Sequence, residues 1–236
     1  MIRQVFFDVG ATLITPEPSM GAIYHEALGP MGVATEPEEF PRVFERIWRD
    51  MSRRVGSGRN RFAAYPGGEM GYWRAYVGEV LAELRAGADR DTATAALHAA
   101  FARPESWQIY DDVAPVLAHL REDGIRCGII SNWDSRLPDL LAALGLKAAF
   151  DPIVFSAEAG AEKPSSEIYR AALSRAGVEP AEALHVGDDA EADAQGARDS
   201  GLHALLIDRG GRAAGEQGSI RSLLEIPAAL TRLVKA

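Results

Sequence analysis

The sequence predicts an α/β protein built on a doubly wound parallel sheet, with an all-helical domain inserted into it. Short apolar runs of strand length alternate with segments of helix length, an order typical of parallel sheets that are covered by helices on both faces. The runs are continuously apolar, as strands buried on both faces require. Glycines stand where helices commonly end, at Gly145, Gly177 and Gly201.

Five apolar runs have the length and the β-branched or aromatic content of strands. These runs are residues 2–7, 125–130, 152–155, 183–186 and 203–207. Four helices are predicted between them, over residues 112–123, 137–145, 166–177 and 190–201. The end of the chain predicts a surface loop over residues 210–218 and a closing helix, interrupted by a proline, over residues 220–235.

Residues 15–104 break this alternation. Apolar residues recur there at helical spacing, and no segment has a convincing strand pattern. Four helices are predicted in this part of the chain, over residues 20–32, 38–56, 68–87 and 91–103. The simplest interpretation is a helical domain of residues 15–104 inserted between the first two strands of a core that comprises residues 1–14 and 105–236.

The composition is that of an ordinary soluble globular protein, with 236 residues of which 47% are hydrophobic and 25% charged. The net charge of −9 argues against nucleic acid or an anionic membrane as a partner. The single cysteine, Cys127, argues against a disulfide framework and indicates a reducing compartment. Neither a membrane span of about 20 apolar residues nor a signal peptide is expected. We therefore expect a cytoplasmic monomer or homodimer.

Polar residues follow four of the predicted strands. Asp8 follows the first strand, Ser131 and Asn132 follow the second, and Lys163 lies in the loop after the third. The fourth strand is followed by an acidic cluster of Asp188, Asp189 and Asp193. Because ligands bind beyond the carboxyl ends of the strands in open parallel sheets, we expect these residues to converge at one edge.

These residue types suit a metal-assisted nucleophilic site. A carboxylate such as Asp8 can attack phosphorus, and several carboxylates together can hold Mg²⁺. A hydroxyl and an ammonium, here Ser131 and Lys163, can bind the oxygens of the transferred group. Alone, a strand-terminal aspartate is usually a cap and a loop lysine is usually solvated. The ordered series favours the catalytic interpretation.

Four motifs resemble those of the haloacid dehalogenase superfamily of hydrolases, which contains many phosphatases and a few dehalogenases. The segment VFFDVGAT resembles the first motif, IISN the second and EKP the third, while GDDAEADAQGARDSG (187–201) resembles the fourth. The order along the chain is that of the family. The resemblance implies a Rossmann-like core, and the helical insertion of residues 15–104 resembles a C1-type cap.

The resemblance also implies roles for single residues. Asp8 would be the catalytic nucleophile, assisted by Lys163. The substrate-binding residues would be Ser131, Asn132 and Thr12. The Mg²⁺ ligands would be Asp8, the backbone carbonyl of Gly10 and Asp188, with Asp189 or Asp193 assisting. The implied substrate is a small phosphorylated or anionic metabolite, which the sequence does not identify further.

Gly10 departs from the family's phosphatases, which carry a second aspartate two residues after the nucleophile. That aspartate protonates the leaving oxygen and later activates water. A glycine still offers its backbone carbonyl to a metal ion, but it cannot act as a general acid. General acid–base groups contribute about 10²–10⁴-fold to rate, so ordinary alkyl phosphates would be poor substrates.

Gly10 leaves several functions open. The first is a divergent phosphatase that works through an aspartyl-phosphate intermediate, and that either uses another acid or acts on substrates whose leaving group needs no proton. The second is a fold-sharing binding protein with little catalysis. The third is a 2-haloacid dehalogenase, which Asp188 and Asp189 disfavour because that metal-free chemistry gains nothing from extra carboxylates. Phosphonoacetaldehyde hydrolase is excluded, because it needs a cap lysine and residues 15–104 contain none.

Other side chains are more simply explained as structural. The arginines of residues 42–61 are expected to form a solvated helix face, and the aromatic residues Trp48, Tyr72, Trp73 and Tyr76 the core of the helical domain. The five histidines show no metal-ligand spacing. Trp133 and Asp134 directly follow the second motif, and we expect both to face the site.

Overall fold

The computed structural model describes residues 1–211 and 218–233. The chain divides into two compact units, the first formed by Met1–Ile14 with Ile109–Ala236 and the second by Thr15–Gln108. Among the described residues, no helix combines the length and the apolar character that crossing a bilayer requires. Part of the predicted loop, residues 212–217, and the last residues of the predicted closing helix lie outside the described residues.

The described residues form eight strands. They are β1 Gln4–Phe7, β2 Ile14–Pro16, β3 Trp107–Ile109, β4 Arg126–Ser131, β5 Ile153–Phe155, β6 Ala183–Gly187, β7 His203–Ile207 and β8 Ser219–Ile220. Six of them make one parallel sheet in the order β5-β4-β1-β6-β7-β8. The predicted α/β fold with a doubly wound parallel sheet is confirmed.

Three strands were not predicted. β2 and β3 form a two-stranded sheet of their own, and β8 extends the large sheet at its edge. Each has only two or three residues, which is too short to show a periodic pattern. Since β2 includes Thr15 and Pro16, the prediction that residues 15–104 contain no strand is wrong at its first two residues.

Ten α-helices are described. They are α1 Met20–Leu28, α2 Phe40–Val55, α3 Gly68–Glu83, α4 Arg90–Ala100, α5 Val113–Glu122, α6 Leu137–Ala143, α7 Ser156–Ala159, α8 Ser166–Ala176, α9 Gly196–Asp199 and α10 Ile226–Leu233. A π-helical turn, Ala190–Gln195, precedes α9, so the helix predicted over residues 190–201 begins with a wider turn. The glycines predicted to end helices have positive φ: Gly145 (74°), Gly177 (63°) and Gly201 (84°).

The second unit is helical because its amphipathic segments bury one face each. In α2 the buried residues recur at helical spacing: Phe40, Phe44, Ile47, Met51 and Val55. Its arginines are exposed, and two of them pair with α3, as Arg54 does with Glu79 at 2.7 Å. Such exposed pairs contribute about 0–1 kcal/mol, so this arginine row needs no ligand to explain it. The four aromatic residues singled out in the sequence pack together in the same unit.

The order of the strands determines where the first unit can bind a ligand. From β1 the chain passes to β4 and β5 on one side, and then to β6, β7 and β8 on the other. The direction of winding therefore reverses between β1 and β6. In sheets of this kind the carboxyl ends of the two strands at the reversal flank a crevice that binds ligands.

Candidate active site

Asp8 lies at the reversal point of the sheet. Phe7, the last residue of β1, pairs with Ile129 of β4 on one side and with Val186 of β6 on the other. The backbone N–H of Asp8 continues this pairing by donating to the carbonyl of Val186 at 2.9 Å. A buried strand therefore delivers the Asp8 carboxylate to the crevice, where 13% of the side chain is exposed.

Lys163 is held between two carboxylates. Its Nζ lies 2.7 Å from Asp8 Oδ1 and 2.5 Å from Asp193 Oδ1. The side chains of Lys163 and Asp193 are each 2% exposed. Little water can screen charges at this depth, so the attraction between these groups is strong. The structure thus brings together residues that lie 155 and 30 positions apart in the sequence.

Two residues at the end of β4 act on Asp8 and Lys163. The Ser131 hydroxyl lies close enough to the Asp8 carboxylate to lower the pKa of that group. The Asn132 side chain donates from Nδ2 to the carbonyl of Lys163 at 3.0 Å and accepts from its N–H at 2.7 Å. Asn132 was predicted to bind substrate. Its amide makes both of these hydrogen bonds with the backbone that carries the lysine, and its contact with substrate stays a prediction.

The acidic loop after β6 separates its three aspartates. The Asp188 carboxylate accepts from Thr12 Oγ1 at 3.5 Å, so Thr12, a predicted substrate-binding residue, lies beside the acidic cluster. Asp189 Oδ1 accepts from the N–H groups of Glu191 and Ala192 at 2.9 and 2.7 Å. Asp189 is therefore the N-cap of the π-helical turn, and it is not part of the acidic group of Asp8, Asp188 and Asp193. Its predicted role as a metal ligand has no support in this geometry.

Asp193 enters the site because Gly187 has no side chain. A Cβ added at Gly187 would lie 2.1 Å from Asp193 Cγ, which is an impossible contact. The glycine of the fourth motif is thus required for Asp193 to pack under the site. Asp193 Oδ2 accepts from the backbone N–H of Asp189 at 3.0 Å, which fixes the carboxylate from its other oxygen.

These contacts determine the charge states of Lys163 and Asp193 in the inner part of the site. Burial alone would lower the pKa of Lys163, but the carboxylates of Asp193 and Asp8 outweigh it and raise that pKa. Burial alone would raise the pKa of Asp193, but Lys163 and His185 outweigh it and hold that pKa well below its usual range. At neutral pH, Lys163 is therefore a cation and Asp193 an anion.

The outer carboxylates are less well balanced. Burial raises the pKa of Asp8, and Lys163 offsets only part of that effect. The Asp188 residue keeps exposed surface, yet burial of its carboxylate and the charges of Asp8 and Asp193 raise its pKa to about 7. Three carboxylates and one ammonium leave an excess of negative charge at the mouth of the site.

Three of the predicted metal ligands fit a divalent cation. Asp8, Asp188 and Asp193 each offer a carboxylate oxygen, and these oxygens lie within 4.8 Å of one another. Oxygen ligands of this kind are those that Mg²⁺ prefers, and the excess negative charge favours a cation. Because Lys163 and the Asp189 N–H already bind the oxygens of Asp193, Asp8 and Asp188 are the carboxylates best placed to hold it.

Gly10 is not imposed by a lack of space. A Cβ added there would lie 3.5 Å from Trp133 Cζ3, an ordinary van der Waals distance. The following residue, Ala11, has a φ of 54°, and its N–H donates to the carbonyl of Ile14 at 2.8 Å. The turn after Asp8 is thus tight, but position 10 itself could carry a side chain.

The two residues after Asn132 behave differently from each other. The indole of Trp133 lies beside Gly10, as expected of a residue that faces the site. Asp134 is 1% exposed, and the Arg136 guanidinium binds both of its carboxylate oxygens. This carboxylate is therefore neutralised by its neighbour two residues along the chain, and the expectation that Asp134 faces the site stays a prediction.

Sequence reasoning missed two supporting residues. His185, in β6, hydrogen-bonds to Asp193, and Arg209 donates from Nη2 to the carbonyl of Thr12 at 2.7 Å. Arg209 also pairs with Asp112 at 2.9 Å, which anchors the turn after Asp8. No local pattern signals a contact between residues 197 positions apart. For His185 a signal existed, since a histidine interrupts an otherwise apolar strand.

Comparison with known proteins identifies the family of the chain. A family model described as haloacid dehalogenase-like hydrolase matches residues 2–201. The human haloacid dehalogenase-like hydrolase domain-containing protein 3 is 31% identical over 211 residues, which cover 87% of this chain and 82% of that protein. Phosphoserine phosphatase of Thermus thermophilus is 33% identical over 129 residues, which cover 53% of this chain and 51% of that protein.

A solved structure extends the comparison to the whole fold. The crystal structure of 2-haloacid dehalogenase from Pseudomonas syringae pv. Tomato superposes with a TM-score of 0.65 at 25% identity, and the match covers 98% of this chain and 99% of that one. The chain is thus similar in sequence to a phosphatase and in fold to a dehalogenase. The predicted family resemblance is confirmed by the model that spans residues 2–201 and by the human relative. The chain belongs to the haloacid dehalogenase-like hydrolase family.

Proposed function

We propose that this chain is a Mg²⁺-dependent phosphatase that forms an aspartyl phosphate on Asp8 and acts on phosphates with a good leaving group. The observation that carries the proposal is the Lys163 ammonium, which lies within 2.7 Å of Asp8 beside an excess of carboxylate charge. A buried cation next to a nucleophile binds the oxygens of a transferred phosphoryl group. The partial match to a phosphoserine phosphatase supports the same reaction class.

The proposed reaction has two steps. An oxygen of the Asp8 carboxylate attacks phosphorus, the bond to the leaving oxygen breaks, and that oxygen departs with the bonding pair. Lys163 and the Ser131 hydroxyl bind the phosphoryl oxygens during the transfer. Water then adds to the aspartyl phosphate, which frees the carboxylate and releases inorganic phosphate together with the proton of the water.

Asp8 and Asp188, with the carbonyl of Gly10, are proposed to hold the Mg²⁺ ion. When bound there, the ion would neutralise negative charge on the phosphoryl group and on the carboxylates. The residues of the chain account for the rest of the site. Lys163 stays charged, Asp193 stays ionised, and Asn132 keeps the backbone of the lysine in place.

Gly10 sets the substrate class. No carboxylate is present at position 10 to protonate a leaving oxygen, so a leaving group must depart as a stable anion. Acyl and aryl phosphates meet that condition, whereas alkyl phosphates do not. We propose a small activated phosphate as the substrate and the helical unit of residues 15–108 as the cap that selects it.

Two other functions compete with this proposal. A dehalogenase would bind a 2-haloacid carboxylate at the same lysine, but the acidic group of Asp8, Asp188 and Asp193 would repel that anion. A binding protein without catalysis would use the same residues, and the glycine at position 10 is the observation that favours it. The phosphatase accounts for both the lysine and the excess carboxylates.

A substrate panel separates the three functions. Purified protein is incubated with acetyl phosphate, 4-nitrophenyl phosphate, glycerol phosphate and 2-chloropropionate, each with Mg²⁺ and with EDTA. We expect hydrolysis of acetyl phosphate and 4-nitrophenyl phosphate with Mg²⁺ but not with EDTA. We expect Asp8→Asn to hydrolyse neither compound. Release of chloride in EDTA would identify a dehalogenase. Phosphate release no faster than that of Asp8→Asn would contradict the phosphatase.

A further inference from the structure

His185 stands at an unusual place for a polar residue. It lies in the middle of β6, between the buried apolar residues Leu184 and Val186, and its side chain is fully buried. Strands buried on both faces are ordinarily apolar throughout, because a polar group there loses its contacts with water. An imidazole at this position therefore needs a specific reason.

One ring nitrogen supplies that reason. His185 Nε2 lies 2.9 Å from Asp193 Oδ1. Because an ionised carboxylate can only accept, Nε2 carries the proton and donates. Asp193 Oδ1 also accepts from Lys163, and Oδ2 accepts from the Asp189 N–H at 3.0 Å. Asp193 is thus held from three directions by groups of this chain.

The other ring nitrogen has no such contact. His185 Nδ1 is buried and has no hydrogen-bond partner among the residues that the structure describes. The imidazole packs against the Tyr169 ring in a T-shaped arrangement, with ring centroids 5.5 Å apart. Leaving the Nδ1 acceptor buried and unsatisfied is unfavourable. The hydrogen bond from Nε2 to Asp193 is therefore the contact that explains a histidine at this position.

We propose that His185 is a positioning residue that, through Asp193, fixes the Lys163 ammonium against Asp8. Without the Nε2–H donor, Asp193 would keep only one bond to a fixed group, the Asp189 N–H. Its Oδ1 could then turn, and the lysine would follow it away from the phosphoryl oxygens. The expected effect of this role on the rate rests on the proposed function. The hydrogen bond between His185 and Asp193 does not depend on that function.

Two variants separate positioning from packing. His185→Gln keeps an N–H donor at similar reach, and His185→Leu keeps apolar volume without a donor. With 4-nitrophenyl phosphate and Mg²⁺, we expect His185→Leu to lower kcat by about 10–100-fold while KM changes little, and His185→Gln to recover most of that loss. His203→Leu, in the neighbouring strand β7, is the control and should leave kcat unchanged.

A second readout does not depend on activity. The chain has three lysines, Lys147, Lys163 and Lys235, so the ¹H–¹⁵N signals of the ammonium groups are few enough to assign. We expect a slowly exchanging Lys163 signal in wild type and in His185→Gln, and its broadening or loss in His185→Leu. In wild type the imidazole ¹⁵N shifts should show Nε2 protonated and Nδ1 unprotonated.

The outcomes distinguish the two claims. A Lys163 signal that is unchanged in His185→Leu, or a ring protonated at Nδ1 alone, would overturn the positioning role whatever the activity. Equal kcat values for His185→Leu and wild type, or no recovery by His185→Gln, would overturn it as well. If wild type hydrolyses no phosphate, the proposed function fails, and the ammonium spectra alone decide the role of His185.

Discussion

The ammonium of Lys163 lies 2.7 Å from Asp8 Oδ1, although the two residues are 155 positions apart in the chain. The contact joins the first strand of the sheet to a loop that follows the third strand of the large sheet along the chain. It supplies the positive charge that helps to hold the pKa of Asp193 low and offsets part of the effect of burial on the pKa of Asp8. The stability of the core and the chemistry of the site therefore depend on the same side chain.

Replacing Lys163 by methionine should affect activity and stability together. The variant leaves two buried carboxylates without a cation, which costs about 3–5 kcal/mol of unfolding free energy at pH 7. Their folded-state pKa values would then lie above the unfolded ones, so stability is retained at low pH and lost as pH rises. Urea unfolding at pH 5 and pH 7 measures this, with the larger deficit expected at pH 7.

The control for that variant is Lys147→Met, which removes an exposed lysine of the same unit. It should unfold like wild type at both pH values. A Lys163→Met protein with wild-type stability at pH 7 would contradict the buried ion pairs described here.

Replacing Gly10 by aspartate should improve the hydrolysis of unactivated substrates. The new Cβ meets only the edge of Trp133 at an ordinary distance, so the backbone can accept it. A correctly oriented carboxylate would restore a general acid, and we expect turnover of glycerol phosphate to rise by about tenfold or more. Gly10→Asn has the same shape without the acid and should stay at the wild-type rate; equal gains from both variants would argue against acid catalysis.

Binding of Mg²⁺ should weaken as the pH falls below neutral. The pKa of Asp188 is raised to about 7 in the absence of a cation, so protons compete with the ion for that carboxylate. Titration calorimetry from pH 6 to pH 8 should show affinity that rises by up to about tenfold per pH unit below pH 7 and then levels off.

The same titration tests which acids hold the ion. Asp188→Asn should abolish most of the affinity and its dependence on pH. Asp189→Asn should keep both, because Asp189 caps the π-helical turn and its carboxylate lies outside the acidic group. Stronger loss from Asp189→Asn than from Asp188→Asn would reverse this assignment.

Cys127 should be unreactive in the native protein. It lies in β4, and burial raises the pKa of its thiol to about 12, so almost no thiolate is present at pH 8. A disulfide reagent at pH 8 should label less than one thiol in ten over an hour, and the full thiol once urea is added. Rapid labelling without urea would show that β4 opens readily.

The sequence predicted the parts of the fold that follow local rules. Continuous apolar runs located five of the six strands of the large sheet, and glycines such as Gly177 marked helix ends through their positive φ. The two- and three-residue strands β2, β3 and β8 were missed, because they form through pairing with a neighbour and carry no periodic pattern of their own.

The candidate site divides in the same way. Residues that end strands, Asp8 and Ser131, could be placed at one sheet edge from the alternation of elements. The sequence could not show which of the three aspartates Asp188, Asp189 and Asp193 would hold a cation. A carboxylate that caps a turn and one that holds a cation look alike in sequence. That distinction depends on Asp189 finding the N–H groups of the turn that follows it.

In the proposed reaction, Asp8 attacks phosphorus at a site that has no general acid. The most direct test of this proposal is the dependence of kcat/KM on leaving-group pKa for a series of substituted aryl phosphates, with Mg²⁺ and with Asp8→Asn as background. A nucleophile without a general acid gives a steep fall in log(kcat/KM) as the pKa of the leaving phenol rises, because the phenoxide departs unprotonated. We predict that steep fall for wild type. A flat dependence would contradict the absence of a general acid, since it would mean that another group of the chain protonates the leaving oxygen.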